Sequence, residues 1–323
     1  MKRNVLVALA GICLTTPSTI AQSRPDTTEA HCAAARAAAG TEHINLYNRF
    51  AEVCGGPQPA PENAPARRGG GPPPQSVWHH EPVKVFDNLY FVGTNEHASW
   101  VVQTSEGLIV IDALFDYAVR AEVVDGLRKL GVNPATMKYL IISHGHADHH
   151  GGAKFLQDEF NPRVVMGRQD WDLVEQNKTT PSPRRDVIAS DGQKITVGDT
   201  TLTLYATPGH TEGTFSVMIP VKDNGKPHML ATWGGTAVGR NSSPEAIRKY
   251  IDSAVRYREL VGKLKVEGII SNHTAYDNSL KKLEALKTRK PGDPHPYLTG
   301  PESVRRYLTV AEELGRAALA LPR

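Results

Sequence analysis

The feature that most constrains this chain is the short segment 143–150, which directly follows the apolar stretch 139–142. A buried strand is therefore predicted to end in a loop rich in imidazole and carboxylate groups. That loop contains His144, His146, Asp148 and His149. Neutral imidazole nitrogen and carboxylate oxygen are ligands that Zn²⁺ binds readily. A lone histidine is usually an ordinary core or surface residue, but the pattern His-x-His-x-Asp-His at a strand end predicts a metal site.

The amino terminus has the pattern of a secretory signal. The basic pair Lys2 and Arg3 precedes an apolar stretch over residues 5–14, which is too short to span a membrane. Small residues, among them Ala21, stand where a signal peptidase would cut. We therefore expect residues 1–21 to be a signal peptide and the mature protein to be periplasmic or secreted.

The mature chain is expected to carry almost no net charge. The formal net charge of the full sequence is +3, and it falls to +1 when Lys2 and Arg3 leave with the signal, since residues 1–21 contain no acidic side chain. Because no patch of basic residues stands out, we expect neither a nucleic acid nor a membrane surface as a partner. A small molecule is the expected partner, and no feature of the sequence indicates the oligomeric state.

Two cysteines remain once the signal is removed, because Cys13 lies inside it. An even pair in an oxidising compartment is typical of a disulfide, so Cys32 and Cys54 are expected to be bonded to each other. Two free thiols are the alternative. A role as metal ligands is not expected, because a Pro/Gly-rich segment separates both cysteines from the histidine cluster.

The length of 323 residues predicts one large catalytic domain with a small appendage. Two short helices, at 28–36 and 41–53, are expected to form a segment over residues 22–54 that the disulfide holds together. Residues 55–77 are rich in Pro, Gly and Ala and can bury little, which is typical of a linker that isolates such a segment. The catalytic domain is expected over residues 78–323.

From residue 83 onward, short apolar strands alternate with amphipathic helices. Strands are predicted at 83–85, 88–92, 99–103, 108–112, 139–142, 163–166, 194–197, 200–205, 214–221, 228–232 and 266–270, with a hairpin turn at 198–199. Helices are predicted at 119–130, 153–160, 170–175, 247–261 and 302–319. Two half-domains of similar plan, each a mixed sheet faced by helices, predict a four-layer α/β/β/α sandwich with strand-end loops along one edge.

Two later histidines also follow predicted strands. His210 lies directly after the Pro208-Gly209 pair, which forces a tight turn, and His273 follows the last predicted strand. Either histidine alone could be an ordinary loop residue. Both occupy the same strand-to-loop position as the first cluster, so we expect them at the same edge of the sheets, as further metal ligands.

Together, the 144–149 pattern, Asp112 after a hydrophobic strand, the Pro-Gly-His-Thr motif at 208–211 and a final strand ending in His273 resemble the metallo-β-lactamase superfamily. The resemblance covers about Val83 to Leu283. It implies two Zn²⁺ ions per chain. The ligands implied for the first ion are His144, His146 and His210, and those for the second are Asp148, His149 and His273.

The absence of one further carboxylate indicates which subclass of the superfamily the chain resembles. Many hydrolases of this superfamily, including thioesterases and phosphodiesterases, carry a bridging Asp after the next strand, but here residues 232–236 contain none. The set of five His and one Asp, without Cys, is similar to the third subclass of metallo-β-lactamases. Thr236 falls where those enzymes often carry Ser. Asp112 is expected to orient a ligand through a hydrogen bond.

The resemblance implies a zinc hydrolase in which a zinc-bound hydroxide opens the β-lactam amide, an activity associated with antibiotic resistance. Two close zinc ions lower the pKa of a bridging water, and Asp148 is the expected catalytic residue because it would orient the resulting hydroxide. One alternative is a zinc hydrolase of another small ester, lactone or amide. Another is a metal-binding interaction protein with an idle site, against which the complete six-ligand set argues.

Six of the other histidines are not expected to bind metal. His150 adjoins the ligands but should point away from them, toward a supporting or surface position. Five more are expected to be solvated: His79, His80, His97, His228 and His295. The loop over residues 94–100 flanks the expected cleft, and Trp100 is interpreted as a residue that could line it.

Overall fold

Two β-sheets packed face to face form the centre of the structure, a computed structural model that describes residues 25–50, 52–56, 73–239 and 241–322. The predicted signal peptide, residues 1–21, lies outside the described residues, and so does most of the predicted linker. None of the helices among the described residues combines the length and the apolar character needed to cross a bilayer.

The first sheet has seven strands, which lie side by side in chain order. They are β1 (Val83–Phe86), β2 (Leu89–Phe91), β3 (Trp100–Thr104), β4 (Gly107–Ile111), β5 (Met137–Ile141), β6 (Arg163–Met166) and β7 (Val187–Ile188). Strands β1 to β4 pair antiparallel, whereas β4 to β7 pair parallel. The carboxyl ends of β4, β5 and β6 therefore lie at one edge of this sheet.

The second sheet has five strands in the spatial order β12-β11-β10-β9-β8. They are β8 (Lys194–Val197), β9 (Thr200–Ala206), β10 (Phe215–Asp223), β11 (Lys226–Trp233) and β12 (Gly268–Ser271). The predicted hairpin is confirmed, because Val197 pairs with Thr200 across a two-residue turn. Only β11 and β12 pair parallel within this sheet.

Helices cover the outer faces of both sheets. They are α1 (Thr28–Ala39), α2 (Ile44–Arg49), α3 (Gln75–Trp78), α4 (Gly126–Lys129), α5 (Ala147–His150), α6 (Ala153–Phe160), α7 (Arg168–Gln176), α8 (Pro244–Lys263), α9 (Ser279–Thr288) and α10 (Pro301–Leu319). A π-helical turn at Arg120–Asp125 leads into α4. The Ser243 hydroxyl caps α8 by accepting a hydrogen bond from the backbone N–H of Ala246.

Three apolar layers hold these elements together. Phe91 and Leu202, one from each sheet, belong to the layer between the sheets. The other two layers lie between a sheet and its helices, as at Trp171 on one side and Tyr250 on the other. The predicted four-layer sandwich is confirmed. Trp100 lies in the central layer at 1% exposure, so the interpretation of it as a cleft residue was wrong.

The amino-terminal helices pack onto this sandwich. The predicted disulfide between Cys32 and Cys54 is present. Ala35 of α1 and Leu46 of α2 are fully buried in the same apolar layer as α8 and α10. This packing contradicts the expectation that the linker isolates the segment, because its apolar faces are covered by the carboxyl-terminal helix. The proposed domain boundaries themselves stay a prediction.

Candidate metal centre

Three loops bring the predicted ligands to one edge of the sheets. The loop after β9 carries His210, and the loop after β12 carries His273. The loop after β5 carries His144 and His146, and the short helix α5 that follows it carries Asp148 and His149. The structure therefore places all six predicted ligands close together.

His144, His146 and His210 form the first donor cluster. Each offers one ring nitrogen, and the three atoms lie within 4.8 Å of one another. Nε2 of His210 lies 3.1 Å from Nε2 of His144 and 3.1 Å from Nδ1 of His146. Because His146 is exposed while His144 is fully buried, the cluster opens to solvent on the His146 side.

Backbone carbonyl groups determine which nitrogen of two rings faces the centre of this cluster. Nδ1 of His144 lies 2.9 Å from the carbonyl oxygen of Gly234, and Nδ1 of His210 lies 2.5 Å from that of Ala237. Each Nδ1 donates its proton to the carbonyl, so each Nε2 directs a lone pair at the other ring. Two acceptor nitrogens 3.1 Å apart repel each other unless a cation lies between them. The arrangement fits Zn²⁺.

Burial keeps the first cluster neutral. It lowers the pKa of His144 well below the ordinary value and lowers the pKa of His210 to about 3, and the neighbouring imidazoles act in the same direction. Burial also lowers the pKa of His146. Since a metal ion binds the unprotonated ring, these three side chains are in the ligating form at neutral pH.

Asp148, His149 and His273 lie beside the first cluster. Nε2 of His149 lies 3.1 Å from Oδ2 of Asp148 and 3.2 Å from Nε2 of His273. Nε2 of His273 lies 3.5 Å from the same Oδ2. The ring centroids of His144 and His149 are only 4.1 Å apart, so the two clusters adjoin. This donor set fits a second Zn²⁺ ion, while the ligand assignment stays a prediction.

His97 also lies in the second cluster, and the expectation that it is solvated was wrong. It is 9% exposed, and its Nε2 lies 3.4 Å from Oδ2 of Asp148. The donor atoms of His97, Asp148 and His273 lie within 4.8 Å of one another. The contact depends on an isolated β-bridge between His97 and His273, which are far apart in the sequence.

The other histidines lie outside both clusters. His150 is buried, and neither of its ring nitrogens has a hydrogen-bond partner among the described residues. His295 is buried rather than solvated, because its Nε2 donates to the carbonyl of Val85 and its ring stacks on Phe86. Three more are half-buried at the surface: His79, His80 and His228.

Asp112 supports the second cluster from behind. Its carboxylate accepts hydrogen bonds from the backbone N–H of Ser143 at 2.7 Å, the Ser143 hydroxyl at 2.8 Å and Nδ1 of His149 at 2.9 Å. The expected hydrogen bond from Asp112 to a predicted ligand is therefore present. It fixes the ring so that Nε2 of His149 faces Asp148.

The charges of this cluster depend on one another. Burial opposes a charge on His149, but the carboxylates of Asp148 and Asp112 outweigh it and raise the pKa of His149 to about 10. Burial also opposes the charge on Asp148, yet His149 holds the pKa of Asp148 well below its ordinary value. A bound metal ion takes the place of the His149 proton at such a site.

Asp170, on α7, holds two of the ligand loops together and was missed in the sequence. Its carboxylate accepts hydrogen bonds from the backbone N–H of Gly145 at 2.7 Å, the Thr211 hydroxyl at 2.6 Å and the backbone N–H of Gly213 at 3.0 Å. These residues flank His146 and His210. Burial raises the pKa of Asp170. No motif marks this residue, because its role depends on contacts between distant loops.

The segment after β11 supports the site through its backbone. The carbonyl oxygen of Gly234 accepts from His144 Nδ1 and from the Asn272 side-chain amide, each at 2.9 Å. A Cβ atom on Gly235 would lie 2.5 Å from Cβ of His210, so the site requires glycine there. Thr236 is buried. Within the part of the chain that the structure describes, Asp148 is the only carboxylate in the two candidate ligand groups.

Comparison with known sequences and structures identifies related proteins. The family described as the metallo-beta-lactamase superfamily matches residues 92–223. The chain is similar to the structure of BJP-1, a subclass B3 metallo-beta-lactamase of Bradyrhizobium japonicum, with 28% identity and a TM-score of 0.62 over 72% of this chain and 91% of that one. It is also similar to the native FEZ-1 metallo-beta-lactamase from Legionella gormanii, with 22% identity and a TM-score of 0.63 over 71% of this chain and 91% of that one. The latter likeness shows the fold alone.

The curated sequences that match the chain are named as hydroxyacylglutathione hydrolases, whereas the similar structures are metallo-beta-lactamases. A hydroxyacylglutathione hydrolase of Crocosphaera subtropica is 30% identical over 112 residues, which are 35% of this chain and 40% of that protein. A protein of the same name from Cronobacter sakazakii is 29% identical over 118 residues, which are 36% of this chain and 41% of that protein. The chain thus matches about two fifths of the length of these curated relatives.

Proposed function

Because the chain belongs to the metallo-beta-lactamase superfamily, we propose that it is an exported binuclear zinc hydrolase that opens β-lactam rings. The observation that carries the proposal is the pair of adjoining donor clusters, which contains only one carboxylate among the described residues. The likeness to BJP-1 extends over 72% of the chain and supports a β-lactam as the substrate.

In this proposal each cluster holds one zinc ion. His144, His146 and His210 bind the first, and Asp148, His149 and His273 bind the second. When bound, zinc supplies a Lewis acid that polarises a carbonyl group and lowers the pKa of a water molecule toward neutrality.

The side chains of the site orient the reactants. Asp148 is ionised at neutral pH, because His149 holds its pKa well below the ordinary value, and its side chain is 19% exposed. It can therefore accept a hydrogen bond from an attacking water molecule. The exposed His146 marks the side from which a substrate reaches the clusters. Asp112 and Asp170 keep the ligand loops in place through the hydrogen bonds described above.

A second candidate function is the hydrolysis of a thioester or another small ester. The similarity to hydroxyacylglutathione hydrolases over 35% of the chain favours it. The donor set favours the β-lactam instead, because a zinc pair held without a bridging carboxylate would keep a coordination position that a leaving nitrogen could occupy. The two candidates share the zinc pair and differ in the pocket.

Turnover assays on one zinc-loaded preparation separate these candidates. We expect faster hydrolysis of a chromogenic cephalosporin than of S-lactoylglutathione, an acyl-homoserine lactone or bis(p-nitrophenyl) phosphate. Asp148→Ala should abolish most of the activity, while His228→Ala, which removes a half-buried imidazole outside both clusters, should leave it unchanged. Preferential thioester or phosphodiester hydrolysis would reject the β-lactam and retain the zinc hydrolase.

The disulfide between Cys32 and Cys54 supports the export proposal, since such bonds persist in oxidising compartments. Expression of the full chain in a bacterial host, followed by cell fractionation, tests this. Protein that has lost residues 1–21 and lies in the periplasm is the expected result. An intact amino terminus in the cytoplasmic fraction would contradict export.

A further inference from the structure

We infer that Asn272 is a positioning residue for both metal ions, because its side-chain amide joins the hydrogen bonds that hold the two donor clusters. The inference rests on the proposed zinc pair and is independent of the substrate. Asn272 directly precedes the predicted ligand His273 and is itself absent from both candidate ligand groups. Its effect on the ions is therefore exerted through its hydrogen-bond partners.

Both N–H groups of the Asn272 amide point at atoms of the ligand loops. Nδ2 donates to the carbonyl oxygen of Gly234 at 2.9 Å and to the hydroxyl oxygen of Ser143 at 3.2 Å. A backbone carbonyl only accepts hydrogen bonds, so it must face the amide nitrogen and not the amide oxygen. Since Asn272 is only 5% exposed, water does not compete for these bonds.

The bond to Gly234 leads to the first cluster. The same carbonyl oxygen accepts from Nδ1 of His144 at 2.9 Å, and its two lone pairs allow it to accept both bonds. This carbonyl determines that Nε2 of His144 faces the other donors of the first cluster. Asn272 therefore holds in place the group that orients a ligand of the first ion.

The bond to Ser143 leads to the second cluster. The Ser143 hydroxyl has a single proton, which it donates to Oδ2 of Asp112 at 2.8 Å, so it accepts the bond from Asn272 with its oxygen. The Asp112 carboxylate in turn accepts from Nδ1 of His149 at 2.9 Å. One chain of hydrogen bonds thus runs from the first cluster to the second, and the Asn272 amide is its middle member.

Packing alone does not account for an amide at this position. Oδ1 of Asn272 is buried and has no hydrogen-bond partner among the described residues. A buried polar atom without a partner costs free energy, and a leucine of similar size would fill the space without that cost. The two donated bonds are what the amide contributes. The backbone of Asn272 is fixed as well, because its carbonyl accepts from the N–H of Ala98 at 2.8 Å.

The test measures the zinc affinity of each site separately, so it does not depend on finding the substrate. Asp148→Ala removes a ligand of the second site and leaves the first, whereas His146→Ala removes a ligand of the first site and leaves the second. Asn272→Leu is added to each of these full-length variants. Zinc affinity is then measured by competition with a chromophoric chelator, and thermal stability is measured on the same samples.

Gln157→Leu, made in the same two backgrounds, is the matched control. Gln157 is also a buried amide with two donated bonds, from its Nε2 to the carbonyl of Arg184 at 2.9 Å and to the carboxylate of Asp186 at 2.7 Å, outside both clusters. A neutral hydrogen bond typically changes an equilibrium constant by roughly 2–10-fold. Asn272→Leu should therefore weaken zinc binding by about that factor at each site, while Gln157→Leu should lower thermal stability only.

Wild-type affinity at either site in Asn272→Leu, or an equal loss in Gln157→Leu, would overturn the inference alone. If Asn272→Leu does not fold, the side-chain amide signals of Asn272 are followed by ¹H–¹⁵N NMR while Zn²⁺ is added to the two single-site proteins. The signals should shift when either site fills, and no shift at one of them would overturn the inference. A wild-type chain that binds fewer than two ions would overturn the zinc pair itself.

Discussion

Replacing Asp112 with Asn tests how the second cluster is held in place. The Asp112 carboxylate is fully buried and accepts three hydrogen bonds, two from Ser143 and one from His149. Asn has the same shape, and it tolerates the positive φ of 64° at this position. Its amide group, however, turns two N–H donors toward partners that are themselves donors.

The expected loss follows from the hydrogen bond between Asp112 and His149. A hydrogen bond to a charged group contributes about 1.5–3 kcal/mol, and about 1.4 kcal/mol corresponds to tenfold in an equilibrium constant. We therefore expect the affinity for the second zinc ion to fall by roughly 10–100-fold, the range typical of partners behind ligating histidines. The first ion should be retained, because backbone carbonyls hold His144 and His210.

Competition with a chromophoric chelator measures both affinities in Asp112→Asn. Glu122→Gln is the matched control, because the buried Glu122 bonds the His79 ring at 2.7 Å away from both clusters. Both variants should lose thermal stability, whereas only Asp112→Asn should lose zinc affinity. The reasoning is refuted if Asp112→Asn binds two ions with wild-type affinity, or if Glu122→Gln loses zinc equally.

Three further predictions concern the rest of the described chain. Cys32→Ser removes the disulfide that closes a loop with a sequence separation of 22, so it should lower the free energy of unfolding, measured with urea, by about 3 kcal/mol. The zinc content should stay the same, and a loss of zinc would contradict this prediction. Asp170→Asn should weaken the first zinc site by roughly 10–100-fold in chelator competition, and a selective loss at the second site would refute its role. Burial lowers the pKa of His43 in the folded chain to about 4, whereas the same imidazole titrates near 6.5 in the unfolded chain. As the pH falls, the unfolded chain therefore binds this proton at a higher pH than the folded chain does. Metal-free wild type should thus lose up to about 3 kcal/mol of stability between pH 6.5 and 4, and an equal loss in His43→Gln would contradict this.

The strands and the four layers could be predicted because their signals are local. An apolar run such as 139–142 indicates a buried strand by itself. The Gly198-Asp199 turn likewise predicts a hairpin, and Thr200 pairs with Val197 across it. The ligand loops were found for the same reason. Each predicted ligand follows a strand, and strand ends meet along one edge of the sandwich.

Contacts between distant segments were not predictable in this way. His97 has no local signal, since its place in the site depends on pairing with His273. Asp170 joins two loops that are separate in the sequence. Helix α1 packs against the apolar face of α10, a helix of 19 residues that begins at Pro301. In each case the deciding partners lie at least 25 positions away.

Zinc content per chain tests the central claim most directly. Protein purified without chelator, and then measured by elemental analysis before and after dialysis against excess Zn²⁺, should contain about two zinc ions per chain, one for each donor cluster. Asp148→Ala should reduce the value to about one, because it removes the carboxylate of the second cluster. A wild-type value near one that added Zn²⁺ does not raise would contradict the account.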